Sequence, residues 1–568
     1  MHRLWDEHIC RKTMDLNGSW LFRIDPENCG ESERWFDGLK DAQNVTVPSV
    51  WNTQMGLLEY EGAAWYEKRF YTTGGCLRFC FGAVLTQADV WLDGKLLGSH
   101  YGGFCQFELL AEQVEPGWHK LTVRADNRFD DDSIPQATVD WYHYGGISRD
   151  VSVETMEGVC VLYERMEYAL SDDLRTARAH FVLEAYNASA AENTSVLRAE
   201  LDGQCVYEET LTLSAHEMRS ITTPEFTVDD VRLWSVEEPN LYDIVLSTDT
   251  DDLRDRTGLR RVEILGQQVA INGKTVEIRG VNRHEEHPDW GFAFPPALMQ
   301  RDLDIAAQMG CNAIRGSHYP NSQMLVDLLD GRGMLFWSEI PIWGVGFTAE
   351  TLANPVIVER GLQMHREMVR YYYNHPSIVF WGMHNEIPSQ TQPAWEMSKI
   401  YYHYLKEHGG NRIVTYACNH PFDDICGEFC DLLAINWYNG WYQGNRDTWG
   451  RFLNELRLRR KELGLENKPV ILSEFGAAAI YGHHTFDDQK WTEEYQANML
   501  EICLNVFHED PMVAGFFIWQ FCDIRTSEEM GLNRARHFNN KGLLNEYRRP
   551  KMAYHLVKKL YKGFAEEC

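Results

Sequence analysis

Apolar and polar residues alternate with a period of two through the first part of the chain. The runs GSWLFRIDP, CLRFCFGAV, ADVWLDGKLLGSH and HKLTVRADN show the alternation, and glycine, aspartate and proline turns separate them. This pattern is typical of short antiparallel strands that bury alternate side chains. It predicts a β-sandwich over residues 1–153.

The alternation continues through a second stretch of the chain, residues 154–265. It appears in ARAHFVLEAYN, SVLRAELDG and NLYDIVLST. The stretch is about 110 residues long, the usual size of an immunoglobulin-like sandwich. Because no linker rich in glycine, serine or proline separates the two stretches, we place the boundary near residue 153 by pattern alone.

After Leu265 the pattern changes to short, continuously apolar runs, most of them separated by amphipathic helical stretches. There are eight such runs: VEIRGVNR, NAIRGS, MLFWSEI, IVFWGMHNE, RIVTYA, LLAINWY, PVILSEFG and GFFIWQFCD. Continuous apolar runs are expected of parallel strands that are covered on both faces. Eight strands alternating with helices over about 300 residues predict a (β/α)8 TIM barrel, here residues 266–568.

Composition and charge narrow the classes of partner. The chain has 568 residues with 44% apolar and 24% charged side chains, and its formal net charge is −30. A surface this acidic repels phosphate groups, so we expect neither nucleic acid nor a membrane as a partner. No apolar run approaches the roughly 18 residues of a membrane span, and the first 16 residues lack the apolar core of a secretory signal. These features favour a cytoplasmic protein.

Two groups of residues resemble metal sites only superficially. Cys418, Cys426 and Cys430 lie near His420 but follow no CxxC spacing. The run from His284 to His287 lacks the HExxH spacing, and consecutive side chains after a strand diverge. We therefore expect no metal and no cofactor.

Polar and aromatic residues crowd the carboxyl ends of the predicted barrel strands, where barrel active sites form. Such a rim favours a polyhydroxylated ligand. Four carboxylates are available there, Glu339, Glu386, Glu474 and Asp523, and glycoside hydrolysis needs two. Glu386 and Glu474 end strands four and seven, which lie nearly opposite each other. The pattern alone does not exclude Glu339. The alternative for Glu339 and Asp523 is helix capping or pairing with a nearby arginine.

Several motifs resemble glycoside hydrolase family 2. NHPSIVFWGMHNE, which ends in Asn385-Glu386, is similar to the acid/base segment of that family, and VILSEFG, which contains Glu474, is similar to its nucleophile segment. IRGVNRHEEH, IRGSHYPN, WSEIPIWG and INWYNGWY resemble its other barrel segments in the same order. The resemblance covers nearly the whole chain and implies an N-terminal jelly-roll sandwich, an immunoglobulin-like sandwich and a catalytic barrel.

Within the family, the chain most resembles β-glucuronidases of the gut-bacterial type that have a short active-site loop, here Trp343 to Pro355. The run HFNNKGLLNEYRRPK contains Asn539 and Lys541 in the Asn-x-Lys pattern that those enzymes direct at the uronic acid carboxylate. The alternative is that Asn-Lys-Gly is only a turn. Arg534 and Arg536 flank Ala535, which stands where the family often has an arginine for the same carboxylate. Which of the two arginines substitutes is left open.

The resemblance also implies further contacts and an activity. It assigns sugar contacts to Asp140, His284, Asn385, Tyr438, Tyr442 and Trp519. It implies a retaining exo-β-glucuronidase, with Glu474 as nucleophile and Glu386 as acid/base, that forms dimers or tetramers and acts on small β-glucuronides or oligosaccharides. The alternatives are a β-galacturonidase or β-galactosidase of the same family and, from another class, a non-catalytic glycan-binding protein.

Overall fold

The computed structural model describes residues 3–5 and 8–567, and its first unit is a β-sandwich. One sheet has the strand order β1-β12-β5-β9 and the other β3-β2-β4-β10-β7-β8, while β6 and β11 pair separately. The strands are β1 (Lys12–Asp15), β2 (Gly18–Asp25), β3 (Gln43–Val47), β4 (Ala63–Thr72), β5 (Gly75–Phe81), β6 (Val84–Leu85), β7 (Gln87–Leu92), β8 (Lys95–Tyr101), β9 (Phe107–Val114), β10 (Gly117–Asp126), β11 (Gly146–Ile147) and β12 (Val151–Met156).

The second unit is a smaller sandwich of immunoglobulin type. Its sheets are β13-β14-β17, with β18 also paired to β14, and β16-β15-β19-β20. Alternate residues of the long strand β14 are buried in the shared core, as the period-two pattern predicts. The strands are β13 (Val159–Leu170), β14 (Ala177–Asn187), β15 (Asn193–Leu201), β16 (Gln204–Leu213), β17 (Met218–Thr222), β18 (Phe226–Val228), β19 (Tyr242–Ser247) and β20 (Asp252–Thr257).

A small three-stranded sheet, β21 (Val262–Leu265), β22 (Gln268–Ile271) and β23 (Lys274–Thr275), leads into a closed parallel barrel. The barrel strands are β24 (Ile278–Arg283), β25 (Ala313–Gly316), β26 (Leu335–Glu339), β27 (Ile378–Asn385), β28 (Ile413–Cys418), β29 (Leu433–Asn436), β30 (Val470–Phe475) and β31 (Val513–Ile518), followed by the pair β32 (Ile524–Arg525) and β33 (Phe538–Asn539). The helices are α1 (Pro296–Met309), α2 (Gln323–Arg332), α3 (Ala349–Leu352), α4 (Pro355–Tyr372), α5 (Gln392–His408), α6 (Trp449–Glu462), α7 (Glu493–Glu509), α8 (Glu528–Gly531) and α9 (Met552–Glu567).

Each of the eight apolar runs forms one barrel strand, in the predicted order, so the predicted fold class is confirmed. Every residue of β27 and of β30 is buried, as expected for strands covered by helices outside and by packed side chains inside. Within the described part of the chain, no helix is both long and apolar enough to cross a lipid bilayer.

The first sandwich reaches onto the rim of the barrel through the segment between β10 and β12. Trp141 in this segment is buried and packs against His284 and His318 of the barrel, with ring centroids 5.7 and 5.5 Å away. The guanidinium of Arg149 bonds the carboxylate of Glu285 at 3.1 Å. A loop of the first sandwich therefore forms one wall of the barrel mouth.

Candidate active site

The barrel gathers the polar ends of its strands on one rim. Asn385 is the last residue of β27 and Glu386 follows it, while Glu474 lies near the end of β30. Tyr438 is the second residue after β29, and Trp519 comes directly after β31. Because parallel strands all point the same way, these five residues lie on one side of the barrel, around its axis.

Glu474 is held at both carboxylate oxygens. Arg315 donates from Nη1 to Oε1 at 2.8 Å, and the Tyr438 hydroxyl donates to Oε2 at 2.8 Å. Burial raises the pKa of Glu474 above its ordinary value, while these two donors oppose the rise by favouring the ionised form. The carboxylate is thus fixed in orientation and has two donors to stabilise its charge.

Arg315, inside β25, organises the centre of the rim, and the sequence analysis did not identify it. Its guanidinium is fully buried and bonds both oxygens of Glu339 at 3.0 and 2.8 Å. It also donates to the side-chain oxygens of Asn282, at 3.0 Å, and Asn385, at 2.7 Å. A charged residue within an otherwise apolar barrel strand is the signal that could have revealed it.

The carboxyl group of Glu386 has a raised pKa. Burial, followed by the negative charge of Glu474, raises the pKa of Glu386 to about 8, although Asn436 donates to its Oε1 at 2.8 Å and opposes the rise. Its backbone has φ 52°, the left-handed region that non-glycine residues rarely adopt, and its N–H bonds the Ala417 carbonyl at 2.8 Å. A carboxylic acid that keeps its proton at neutral pH is suited to protonate a leaving group.

The Asn385 amide is oriented with its NH2 group free to contact a ligand. Its Oδ1 accepts from Arg315 at 2.7 Å and from Asn436 at 3.2 Å. Its buried Nδ2 has no hydrogen-bond partner among the residues that the structure describes. Because a buried donor without a partner is costly, Nδ2 is a candidate for bonding a substrate hydroxyl.

Two histidines and Trp519 form an aromatic wall. The His318 ring stacks on Trp519 with centroids 5.1 Å apart, and His284 meets the same indole edge-on at 5.6 Å. Burial lowers the pKa of both histidines well below the ordinary value, so both rings are neutral. The Nε2 atoms of both rings lack a hydrogen-bond partner within the described part of the chain, although that of His318 lies 3.9 Å from Oε1 of Glu474. Both nitrogens can therefore bond sugar hydroxyls.

Asp140, from the first sandwich, joins two residues of the segment after β31. Its carboxylate accepts two bonds from the guanidinium of Arg534, at 3.1 and 2.6 Å, and one from Nδ2 of Asn539, at 2.7 Å. Arg534 and Asn539 are thereby fixed relative to each other. The negative charge of Asp140 also contributes to the raised pKa of Glu386.

Lys541 lies beside these residues, with 2% of its surface exposed. Its ammonium donates to the Tyr442 hydroxyl at 2.7 Å and lies 4.8 Å from the centroid of that ring and 5.6 Å from that of Tyr438. No carboxylate of the described residues lies within 4.0 Å of Nζ, although acidic residues outnumber basic ones by 84 to 54 in the chain. A buried ammonium without a carboxylate partner is a candidate site for an anion.

Arg536 occupies a different environment. Its side chain is 45% exposed, and its guanidinium pairs with Glu546 at 2.9 Å. Of the two arginines left open by the sequence, Arg534 shares Asp140 with Asn539, whereas Arg536 reaches Oδ1 of the neighbouring Asn540 only at 3.4 Å. Tyr442 is the most exposed residue of the predicted set, at 56%.

The other two rim carboxylates are ion-paired. Glu339 binds Arg315 and also accepts from His318 at 2.7 Å, which agrees with the prediction that it pairs with an arginine. Asp523 pairs with Lys551 at 2.8 Å, and both of these side chains are fully buried. The guanidinium of Arg536 also lies 4.0 Å from Oδ2 of Asp523. Both carboxylates therefore have cationic partners.

One cluster in the described residues has the composition of a metal site. Ligand atoms of Asp327, Asp330 and His375 lie within 4.8 Å of one another. However, the guanidinium of Arg3 already makes two bonds to Asp327, both at 3.0 Å, and Asp330 accepts from the Ser377 N–H at 3.0 Å. Because these oxygens have protein partners, we assign no metal to the cluster.

Family profiles match the chain in three consecutive blocks. Residues 13–156 match the sugar binding domain of glycosyl hydrolases family 2, residues 165–260 match the glycosyl hydrolases family 2 profile, and residues 262–566 match the TIM barrel domain of that family. The barrel match alone covers more than half of the chain.

Relatives and solved structures agree over nearly the full length. A β-glucuronidase of Paenibacillus borealis is 27% identical over 98% of both chains. The crystal structure of a β-galacturonidase from Eisenbergiella tayi bound to galacturonate is 32% identical, with a TM-score of 0.92 over 99% of both chains. A β-glucuronidase from Ruminococcus gnavus in complex with D-glucuronic acid is 26% identical, with a TM-score of 0.86 over 99% of both chains.

Proposed function

Because the chain belongs to glycoside hydrolase family 2, we propose that it is a retaining exo-β-uronidase that releases glucuronic acid from β-D-glucuronides. In this proposal Glu474 is the nucleophile and Glu386 the acid/base. The residues around Asp140 and Lys541 bind the substrate.

The observation that carries the substrate assignment is the buried ammonium of Lys541. It has a hydroxyl partner in Tyr442 but no carboxylate within 4.0 Å among the described residues. Asn539 supplies an adjacent amide, and Arg534 a guanidinium on the same side. A uronate carboxylate would complete charge-assisted hydrogen bonds with these donors, whereas the CH2OH group of a neutral hexose would leave the ammonium unpaired.

The proposed reaction uses two displacements. Glu386, with a pKa of about 8, holds a proton at neutral pH and gives it to the glycosidic oxygen while ionised Glu474 attacks the anomeric carbon. Formation of the glycosyl ester removes the charge of Glu474, and this lowers the pKa of Glu386. Glu386 can then take a proton from the water that hydrolyses the ester, and the product has the β configuration.

The remaining predicted residues are proposed to bind the ring hydroxyls. The free amide hydrogens of Asn385 and the unpartnered Nε2 of His284 are suitable donors. We assign the apolar contact with the sugar ring to Trp519, whereas Tyr442 is exposed. For the uronate carboxylate we favour Arg534 over Arg536, since Arg534 shares Asp140 with Asn539, whereas Arg536 pairs with Glu546.

A second candidate substrate is a β-galacturonide. It carries the same carboxylate and differs from the glucuronide at one hydroxyl, so Lys541 does not discriminate against it. The likeness to the Eisenbergiella tayi β-galacturonidase, at 32% identity and a TM-score of 0.92, supports this candidate. The unpaired ammonium argues against a neutral galactoside.

Turnover of four aryl β-glycosides tests the proposal: the glucuronide, the galacturonide, the glucoside and the galactoside. We expect kcat/KM for one of the uronides to exceed that for its matching neutral glycoside by at least about a hundredfold. The better uronide identifies the substrate. Preference for a neutral glycoside would contradict the assignment of Lys541, and no turnover of any of the four would favour a non-catalytic glycan-binding protein.

A further inference from the structure

A second buried lysine, Lys551, lies directly behind the segment that carries Lys541. We name this segment, residues 539–542, the uronate loop. The Lys551 ammonium donates to the carbonyl of Ala479 at 2.7 Å, to Oδ1 of Asp523 at 2.8 Å and to the carbonyl of Asn540 at 3.0 Å. An ammonium has three N–H donors, and each has one of these partners.

The Lys551–Asp523 pair holds the uronate loop on both sides of Lys541. Lys551 bonds the carbonyl of Asn540, the residue before Lys541, and Asp523 accepts at 2.9 Å from the N–H of Gly542, the residue after it. Both side chains are fully buried. The backbone around Lys541 is therefore attached to a charged pair that solvent does not reach.

The space at Gly542 shows how closely the loop lies against this pair. A Cβ at Gly542 would lie 2.3 Å from the backbone N of Asp523 and 2.4 Å from the carbonyl oxygen of Leu544. Backbone atoms this close do not accommodate a side chain. The Lys541 carbonyl is bonded as well, by the N–H of Gln520 at 3.1 Å and by Nε2 of Gln496 at 3.2 Å. The loop can therefore shift only if these partners move with it.

The same ammonium joins the uronate loop to the segment after Glu474. Ala479, whose carbonyl it bonds, lies five residues beyond Glu474, and the Ala479 N–H bonds the Asn540 carbonyl at 2.9 Å. Lys551 thus links the backbone that presents Lys541 to the backbone that presents the nucleophile. A substrate with its charge at C6 and its reacting carbon at C1 requires these two groups at a fixed separation.

We propose that Lys551 is a positioning residue for uronide selectivity: together with Asp523 it sets the position of the Lys541 ammonium relative to Glu474. Lys551 touches neither the proposed nucleophile nor the proposed acid/base, so it acts through the uronate loop. The inference rests on the proposed function of Lys541 as the carboxylate ligand.

Lys551→Met tests this inference, because methionine has a similar length but no N–H donors. We expect kcat/KM for the better aryl uronide to fall by about 10- to 100-fold, mainly through KM, and its ratio to kcat/KM for the matching neutral glycoside to fall at least tenfold. In combination with Lys541→Ala, the change should add less than about threefold to the loss caused by Lys541→Ala alone, because both act on one interaction.

The control is Asp330→Asn, a buried carboxylate in α2 that bonds the N–H of Ser377, directly before β27, at the opposite end of the barrel. It should lower the midpoint of thermal unfolding but leave the selectivity ratio within about threefold. If Lys551→Met does not fold, the double variant Lys551→Met/Asp523→Asn removes both buried charges and keeps an acceptor for Gly542. The same loss of selectivity is expected of it.

Two outcomes overturn this inference but not the proposed function. In the first, Lys541→Ala lowers the ratio of kcat/KM for the uronide to that for the neutral glycoside, but Lys551→Met leaves it unchanged. In the second, the losses of the two single variants multiply in the double variant Lys541→Ala/Lys551→Met. An unchanged ratio in Lys541→Ala would instead overturn the proposed function, and this inference with it.

Discussion

The two ends of the candidate pocket are built in different ways. At the reactive end, Glu386, Glu474 and Arg315 lie in or directly after barrel strands, and the closed barrel fixes their distances. At the charged end, Asn539 and Lys541 lie at the end of β33 and just beyond it, and Asp140 comes from another unit of the fold. The barrel strands position the proposed catalytic residues, whereas contacts between loops position the residues proposed to select the uronate. The catalytic arrangement should therefore resist substitution, and the selectivity should be easier to alter.

The largest expected effect separates the two carboxylates of the reactive end. Glu474→Ala should lower kcat on an activated aryl uronide by on the order of 10⁴-fold or more, because no covalent intermediate forms. Glu386→Ala should lower kcat roughly 10²- to 10⁴-fold for substrates with poor leaving groups but much less for substrates with good ones. Azide should rescue Glu386→Ala with a β-glycosyl azide and Glu474→Ala, if at all, with the α-azide. Interchanged products, identified by NMR, would reverse the assignment.

A smaller but still large effect is expected at Arg315. Arg315→Lys cannot reproduce bonds to Glu474, Glu339 and two asparagines, so kcat should fall by on the order of 10²-fold with KM changed less than about threefold. The matched control is Arg283→Lys, a fully buried barrel arginine that pairs with Asp302. Equal losses of kcat in both variants would show that Arg315 supports only the fold.

The strands and strand-end residues of the reactive end were largely predictable from the sequence, but the place of Arg315 among them was not. VILSEFG and IVFWGMHNE indicated both the strands and the residues at their ends, because burial on two faces leaves a continuous apolar run. Arg315 lies inside such a run, and its four partners come from four other strands, which only barrel closure brings together.

The loop-built end was predictable only by resemblance. Arg534 and Asp140 are 394 residues apart in sequence, and no local pattern in either segment indicates that they bond. The choice between Arg534 and Arg536 depends on the path of the loop, and that path is set by tertiary contacts such as the Arg536–Glu546 pair. The same is true of Lys551, whose three acceptors come from three separate segments.

The pH profile tests the reactive end further. Since Glu386 must be protonated and its pKa is about 8, kcat/KM should be lost as pH rises through about 8, by about tenfold per unit above it. In the proposed mechanism activity falls when Glu474 is protonated. Because the pKa of Glu474 is raised, the acid limb of the kcat/KM profile should lie at a higher pH than the ordinary pKa of a glutamate. Asn436→Ala removes a donor to ionised Glu386 and should move the alkaline limb to higher pH. An alkaline limb that persists in Glu386→Gln would contradict this account.

A smaller effect is expected where the first sandwich meets the charged end. Asp140→Asn removes the charge that holds Arg534 and Asn539, and kcat/KM for the uronide should fall about tenfold. Asp130→Asn, an exposed carboxylate of the same segment, should leave the rate unchanged. A parallel loss on the neutral glycoside in Asp140→Asn would assign Asp140 to general ring binding instead.

The most direct test of the account is equilibrium binding without turnover. In the inactive Glu474→Ala background, the dissociation constants of the aryl glucuronide, the aryl galacturonide and their neutral counterparts can be compared with and without Lys541→Ala. We predict that the constant for the preferred uronide rises about 30- to 100-fold, since a buried charge-assisted bond is lost, while the constant for its neutral counterpart changes less than about threefold. Uronide binding that is unaffected by Lys541→Ala would contradict the claim that this ammonium binds the substrate carboxylate.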